Sequence, residues 1–141
     1  MVCRTGLRVR SEKGVNSEVR RACLEFAKWL RKEFEFPIRV VIYLKKDYQI
    51  KNRFTKELVS ATFFAPYDKE EEPYIRIATG DYMELLDELG KDEALASVLN
   101  SMAHELGHYY QWIDDEEFNE ESAEDTADYM IDLYSDTRDH P

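Results

Sequence analysis

The chain has few of the features that mark secreted or membrane proteins. Its 141 residues include only two cysteines, Cys3 and Cys23, separated by 20 positions. This spacing fits neither a disulfide framework nor a pair of zinc ligands, so we expect free thiols in a reducing, cytoplasmic location. No apolar run is long enough for a signal-peptide core or a bilayer span, which predicts a soluble protein with no membrane partner.

Basic residues are scarce as well. The 19 Lys and Arg residues are outnumbered by 30 Asp and Glu residues, which gives a formal net charge of −11. Such an acidic chain, with no basic stripe, argues against a nucleic-acid partner because phosphate binding needs clustered cations. The apolar fraction of 43% is enough for the core of one compact domain, and we expect that domain to span residues 1–141.

Hydrophobic periodicity predicts an α+β fold. A helix is expected to begin after Asn16, because apolar residues then recur about every 3.6 positions as far as Phe34. Three later runs rich in β-branched and aromatic residues predict a small three-stranded sheet: 38–44, 58–65 and 74–79. Two long helices complete the predicted fold, one over 92–113 and a C-terminal one that begins near Glu120.

The first of these long helices carries the sequence His104-Glu105-Leu106-Gly107-His108. Helix positions i and i+4 lie about 40° apart, so both imidazoles can bind one metal ion from the same side. Glu105 points about a quarter-turn away, where its carboxylate can reach a water in an open coordination position. The spacing therefore favours metal-assisted hydrolysis, with Glu105 as the base.

A metal site of this kind needs a third protein ligand. The only other histidine is His140, next to the last residue, so a carboxylate of the C-terminal helix is the better candidate. That helix offers Glu120, Glu121 and Glu124. On a wheel of about 100° per residue, Glu124 lies roughly 60° from the centre of the apolar face and Glu121 roughly 120°. The wheel favours Glu124 and leaves Glu121 open, and Asp128 is placed to orient a ligating histidine.

These residues support a family resemblance. His104-Glu105-x-x-His108 followed by Glu124-x-x-Ala127-Asp128 resembles the gluzincin clan of zinc metallopeptidases. In size and order the chain looks most like the minimal single-domain members, the minigluzincins, and is similar to the metallopeptidase domain of the ImmA/IrrE type. The resemblance implies a zincin-like domain that binds Zn²⁺ through His104, His108 and Glu124. It also implies a peptide or protein substrate, with Glu105 taking a proton from the metal-activated water.

The resemblance further implies that strand 74–79 is the edge of the sheet, where an extended peptide would pair with it. An exposed edge would also permit self-association by strand pairing. Larger gluzincins carry an oxyanion-stabilising group well beyond the glutamate, whereas 17 residues follow Glu124 in this chain. Because one oxyanion donor is worth about 10²–10³ in rate, the alternative is a zinc-binding regulatory or interaction module with weak or latent peptidase activity. The tail 136–141 is expected either to fray or to fold back over the active site and restrain it.

Overall fold

The computed structural model describes residues 4–141 and shows an α+β fold in which helices pack on a mixed sheet. The helices are α1 (Ser17–Glu33), α2 (Tyr82–Leu89), α3 (Lys91–Ile113) and α4 (Glu120–Ser135). The strands are β1 (Leu7–Ser11), β2 (Val40–Lys45), β3 (Ile50–Lys51), β4 (Leu58–Val59), β5 (Ala61–Phe64) and β6 (Tyr74–Ala78). The predicted α+β class is confirmed, as are the N-terminal helix and the two long C-terminal helices. Among the described residues, none of the helices combines the length and apolarity needed to cross a bilayer.

The main sheet has four strands in the order β1-β2-β6-β5, not the three predicted. β1, β2 and β6 are parallel, and β5 runs antiparallel to β6 with Phe63 opposite Ile75. The predicted strand 58–65 is divided at Ser60, because β4 pairs with β3 in a separate two-stranded sheet while β5 pairs with β6. The periodicity of a single segment does not reveal such a division, since the two halves differ only in their partners.

The prediction that strand 74–79 forms the sheet edge is wrong. β6 lies inside the sheet, with β2 on one side and β5 on the other, and Ile75 and Ile77 are buried. The edge next to β6 is therefore β5. Strand order depends on pairings between segments far apart in sequence, which hydrophobic pattern alone does not specify.

The core forms where α1 and α3 pack beside each other against the sheet. α1 contacts β1, whereas α3 contacts β5 and β6. The largest buried side chains of the two helices include Phe26, Leu30, Met102 and Tyr109. Cys23 is also buried in this core, and Cys3 lies outside the described residues.

The C-terminal tail lies against α1 and the beginning of α3. Arg138 pairs with Glu25 at 2.7 Å, and the His140 ring is 2.7 Å from the carboxylate of Asp92. Asp92 precedes His104 by 12 residues, which corresponds to about 18 Å along a helix. The expectation that residues 136–141 fold over the histidine motif is therefore wrong, and these contacts also show that the tail is not frayed.

Candidate metal centre

Helix α4 begins beside the histidine motif. Its N-cap is Asn119, whose side-chain oxygen accepts a hydrogen bond from the Ser122 N–H at 2.8 Å. Only residues 114–119 separate α3 from α4, so the first turn of α4 lies close to the last turns of α3. Glu120 stands in that first turn, where a helix N-terminus favours a negative charge.

The two histidine rings converge on the carboxylate of Glu120. Nε2 of His104 lies 2.7 Å from Oε2, and Nε2 of His108 lies 2.9 Å from Oε1. Ligand atoms of the three residues all lie within 4.8 Å of one another, which is compact enough for a single metal ion. The structure thus brings His104 and His108 together in the way that their helical spacing predicts.

The opposite nitrogens of both rings face acceptors of the protein. Nδ1 of His104 is 2.7 Å from Oε2 of Glu124, and Nδ1 of His108 is 2.9 Å from Oε1 of Gln111. An imidazole that donates its Nδ1–H to such an acceptor keeps the lone pair of Nε2 available for a cation. Glu124, predicted from the sequence as the third ligand, therefore lies across the His104 ring from Glu120. Its other oxygen accepts a hydrogen bond from Asn100 at 3.1 Å.

Oxygen acceptors at both nitrogens of each ring make the centre of this site favourable to positive charge. A neutral imidazole donates from one nitrogen only, and Nδ1 of each ring already faces an acceptor. The contacts of Nε2 with Glu120 therefore require either a second proton on each ring or a cation that replaces those protons. Burial by itself would lower the pKa of His104, but its hydrogen bonds to Glu124 and Glu120 raise that pKa overall. For the carboxyl group of Glu120 the two effects have the opposite signs: burial would raise its pKa, but the two histidines lower that pKa overall. The residues present therefore fit a divalent cation.

Glu105, the predicted base, is buried next to the histidines. The residue is only 7% exposed to solvent. Burial raises the pKa of Glu105 to about 6, although nearby His108 and His104 act in the opposite direction. A carboxyl group with a pKa this close to neutrality is suited both to accept and to return a proton.

Two residues of this site were not singled out by the sequence. Glu120 is only one of three candidate carboxylates in the sequence. The sequence feature that distinguishes it is its position directly after Asn119, the N-cap of α4. No ligand pattern in the sequence marks Gln111, although it lies three positions after His108 and hence on the same face of α3. Asp128, expected to orient a histidine, is exposed, and Glu124 is the carboxylate that contacts Nδ1 of His104.

Aromatic side chains connect the site to the edge strand. The ring of Phe118 lies 5.2 Å from that of His108 and 6.0 Å from that of Phe63 on β5. Phe118 is 50% exposed, so it forms a partly open apolar border beside the histidines. The sheet edge and the candidate metal centre are thus neighbours.

The chain matches no protein-family model, no curated protein and no solved structure.

Proposed function

We propose that the protein is a zinc-dependent peptidase in which His104, His108 and Glu120 hold the metal and Glu105 is the general base. The observation that supports the proposal is the convergence of both Nε2 atoms on the carboxylate of Glu120. Both Nδ1 atoms, on the opposite side of the rings, face side-chain oxygens of Glu124 and Gln111. Two imidazoles and one carboxylate form the protein ligand set of catalytic zinc sites that leave a fourth position for water. Glu120 replaces Glu124 in this assignment, and Glu124 becomes the partner of His104.

The chain's own residues support hydrolysis at this place. A bound zinc ion would lower the pKa of a coordinated water and polarise a peptide carbonyl. Glu105 would accept a proton from the attacking water on a carboxylate oxygen and later donate it to the departing amine. Its burial supports both steps, because the pKa of about 6 lets the group hold or release a proton near neutral pH.

We place the peptide substrate on β5, as an added strand at the sheet edge. This edge supports the assignment because Phe63 on β5 and His108 on α3 both contact the ring of Phe118. Main-chain hydrogen bonds to an edge strand bind an extended peptide largely irrespective of its sequence. A zincin-like layout and a cytoplasmic location, both expected from the sequence, belong to the same proposal.

The alternative is a zinc-binding regulatory or interaction module with weak or latent peptidase activity. The two functions share the metal and differ in turnover, so Glu105→Gln separates them. This substitution keeps the size of the side chain but removes its ability to take a proton. We expect the wild type to bind about one zinc per chain and to cleave members of a peptide panel, and Glu105→Gln to keep the zinc and lose cleavage.

Glu93→Gln is the matched control, since Glu93 is an exposed glutamate in the first turn of α3. It should leave both zinc content and cleavage unchanged. Cleavage by Glu105→Gln at the wild-type rate would contradict the proposed mechanism. Zinc binding by a wild type that cleaves nothing would favour the module, and a wild type without zinc affinity would exclude both functions.

A further inference from the structure

Gln111 is a buried amide whose two polar ends are both engaged. The residue is 6% exposed and lies one helical turn after His108. Its Oε1 accepts hydrogen bonds from Nδ1 of His108 at 2.9 Å and from the backbone N–H of Asn119 at 3.3 Å. Its Nε2 donates to the backbone carbonyl of Asn119 at 3.0 Å. One side chain therefore connects a histidine of α3 to the N-terminus of α4.

The backbone of Asn119 determines which way round this amide points. A backbone N–H can only donate and a carbonyl can only accept, so Oε1 of Gln111 must face the N–H and Nε2 must face the carbonyl. Because Oε1 carries no proton, the ring nitrogen that faces it must be a donor. His108 consequently carries a proton on Nδ1, and its Nε2, directed at Glu120, is the nitrogen available to a metal.

Asn119 is also the residue that positions Glu120. It is the N-cap of α4, and its carbonyl accepts the first helical hydrogen bond from the Ala123 N–H at 3.0 Å. Glu120 follows it directly in the chain. The two hydrogen bonds between the Gln111 amide and the backbone of Asn119, one donated by each residue, therefore hold the start of α4 at a fixed place relative to His108.

We propose that Gln111 is a positioning residue of the metal centre, which sets the tautomer of His108 and the location of Glu120 together. The inference rests on the proposed zinc site and concerns a residue that does not touch the metal itself. Outer partners of metal ligands orient the ligands, and their loss typically lowers metal affinity about 10–100-fold. Gln111 acts on two ligands from two different helices, so its removal affects both.

Two substitutions separate the roles of the amide. Gln111→Met keeps the length and burial of the side chain but removes both the acceptor and the donor. Gln111→Glu keeps an acceptor for His108 and for the Asn119 N–H, and loses the donation to the Asn119 carbonyl. Thr79→Val is the control for loss of a buried hydrogen bond elsewhere, because Thr79 is 4% exposed and donates to the Lys45 carbonyl at 2.7 Å.

Zinc affinity is measured by competition with a chelator, and the imidazole N–H signals of the zinc-loaded protein by ¹H–¹⁵N NMR. In the wild type we expect a slowly exchanging Nδ1–H signal from each ligating histidine. In Gln111→Met the His108 signal is lost to exchange, the His104 signal stays, and zinc affinity falls about 10–100-fold. Gln111→Glu retains the His108 signal and binds zinc more tightly than Gln111→Met. Thr79→Val changes neither the signals nor the affinity.

Wild-type zinc affinity and an unchanged His108 signal in Gln111→Met would overturn the inference. An equal loss of affinity in Thr79→Val would also overturn it, since the effect would then be one of general stability. If Gln111→Met does not fold, loss of the His108 signal in Gln111→Glu contradicts the inference instead. Zinc binding without peptide cleavage leaves the role of Gln111 intact while the proposed peptidase fails, and absence of zinc binding in the wild type overturns both.

Discussion

Gly107 packs directly against the backbone of Ala123. A Cβ atom added to Gly107 would lie 2.8 Å from both the Cα and the carbonyl oxygen of Ala123, which is too close for a carbon atom. Gly107 directly precedes His108, and Ala123 lies between Glu120 and Glu124 in the chain. The absence of a side chain at one helix position thus permits the approach that brings both carboxylates to the histidine rings.

Gly107→Ala is expected to separate α3 from α4. Alanine in place of glycine gains about 1 kcal/mol of helix propensity, whereas overpacking against a backbone typically costs about 1–3 kcal/mol. We therefore expect reduced stability to urea together with weaker zinc binding, because Glu120 and Glu124 move away from the rings. Urea unfolding and chelator competition measure the two effects.

Ser97→Ala is the control for the gain in helix propensity alone, since Ser97 is exposed on the same helix. It should leave zinc affinity unchanged. A Gly107→Ala variant that is as stable as the wild type and binds zinc as tightly would show that the close approach is unnecessary.

The two asparagine N-caps allow a matched comparison. Asn16 accepts a hydrogen bond from the Glu18 N–H at 2.8 Å at the start of α1, and Asn119 accepts one from the Ser122 N–H at 2.8 Å at the start of α4. Each Asn→Ala substitution should lower the unfolding free energy by about 1 kcal/mol. Only Asn119→Ala should also weaken zinc binding, because only that cap positions a proposed ligand. Equal zinc affinities in the two variants would contradict a link between the α4 cap and the site.

The stability of the metal-free protein should depend on pH through His104. Hydrogen bonds to Glu124 and Glu120 raise the folded-state pKa of His104 despite its burial. A raised pKa contributes stability that is fully present below the unfolded value, about 6.5, and is lost as pH rises through the folded value. The difference in melting temperature between wild type and His104→Gln, both with chelator, should therefore shrink as pH rises from 6 to 8.5.

Zinc should reverse the direction of this dependence. The metal competes with the protons of the same ring nitrogens, so its stabilising effect grows as pH rises. Thermal unfolding with and without zinc over the same pH range measures both effects. A metal-free difference between wild type and His104→Gln that increases with pH would contradict the contacts assigned to His104.

Local patterns were sufficient to predict the helices and the histidine pair. The apolar period after Asn16 predicts α1, and the i, i+4 spacing of His104 and His108 determines their relative position on the helix independently of any tertiary contact. Non-local pairings were not predictable in this way. β1 is only five residues long and depends on its pairing with β2, and the place of β6 inside the sheet depends on β5.

The choice among the glutamates shows the same limit. A helical wheel gives the angle of each residue about the axis of α4, and by that measure Glu124 faces the core more than Glu121 does. It does not say how far along α3 each turn of α4 lies. In the structure, the first turn brings Glu120 to both Nε2 atoms, and Glu124 one turn later reaches Nδ1 of His104.

Zinc affinity of three glutamate variants decides which carboxylate binds the metal. Glu120→Ala removes the proposed ligand and should cause the largest loss, whereas Glu124→Ala removes the partner of His104 and should weaken binding about 10–100-fold. Glu121→Ala alters an exposed neighbour in the same turn and should bind zinc as the wild type does. Chelator competition on the three proteins should give that order. Loss of zinc from Glu124→Ala with tight binding retained in Glu120→Ala would contradict the proposed centre and assign the third ligand to Glu124.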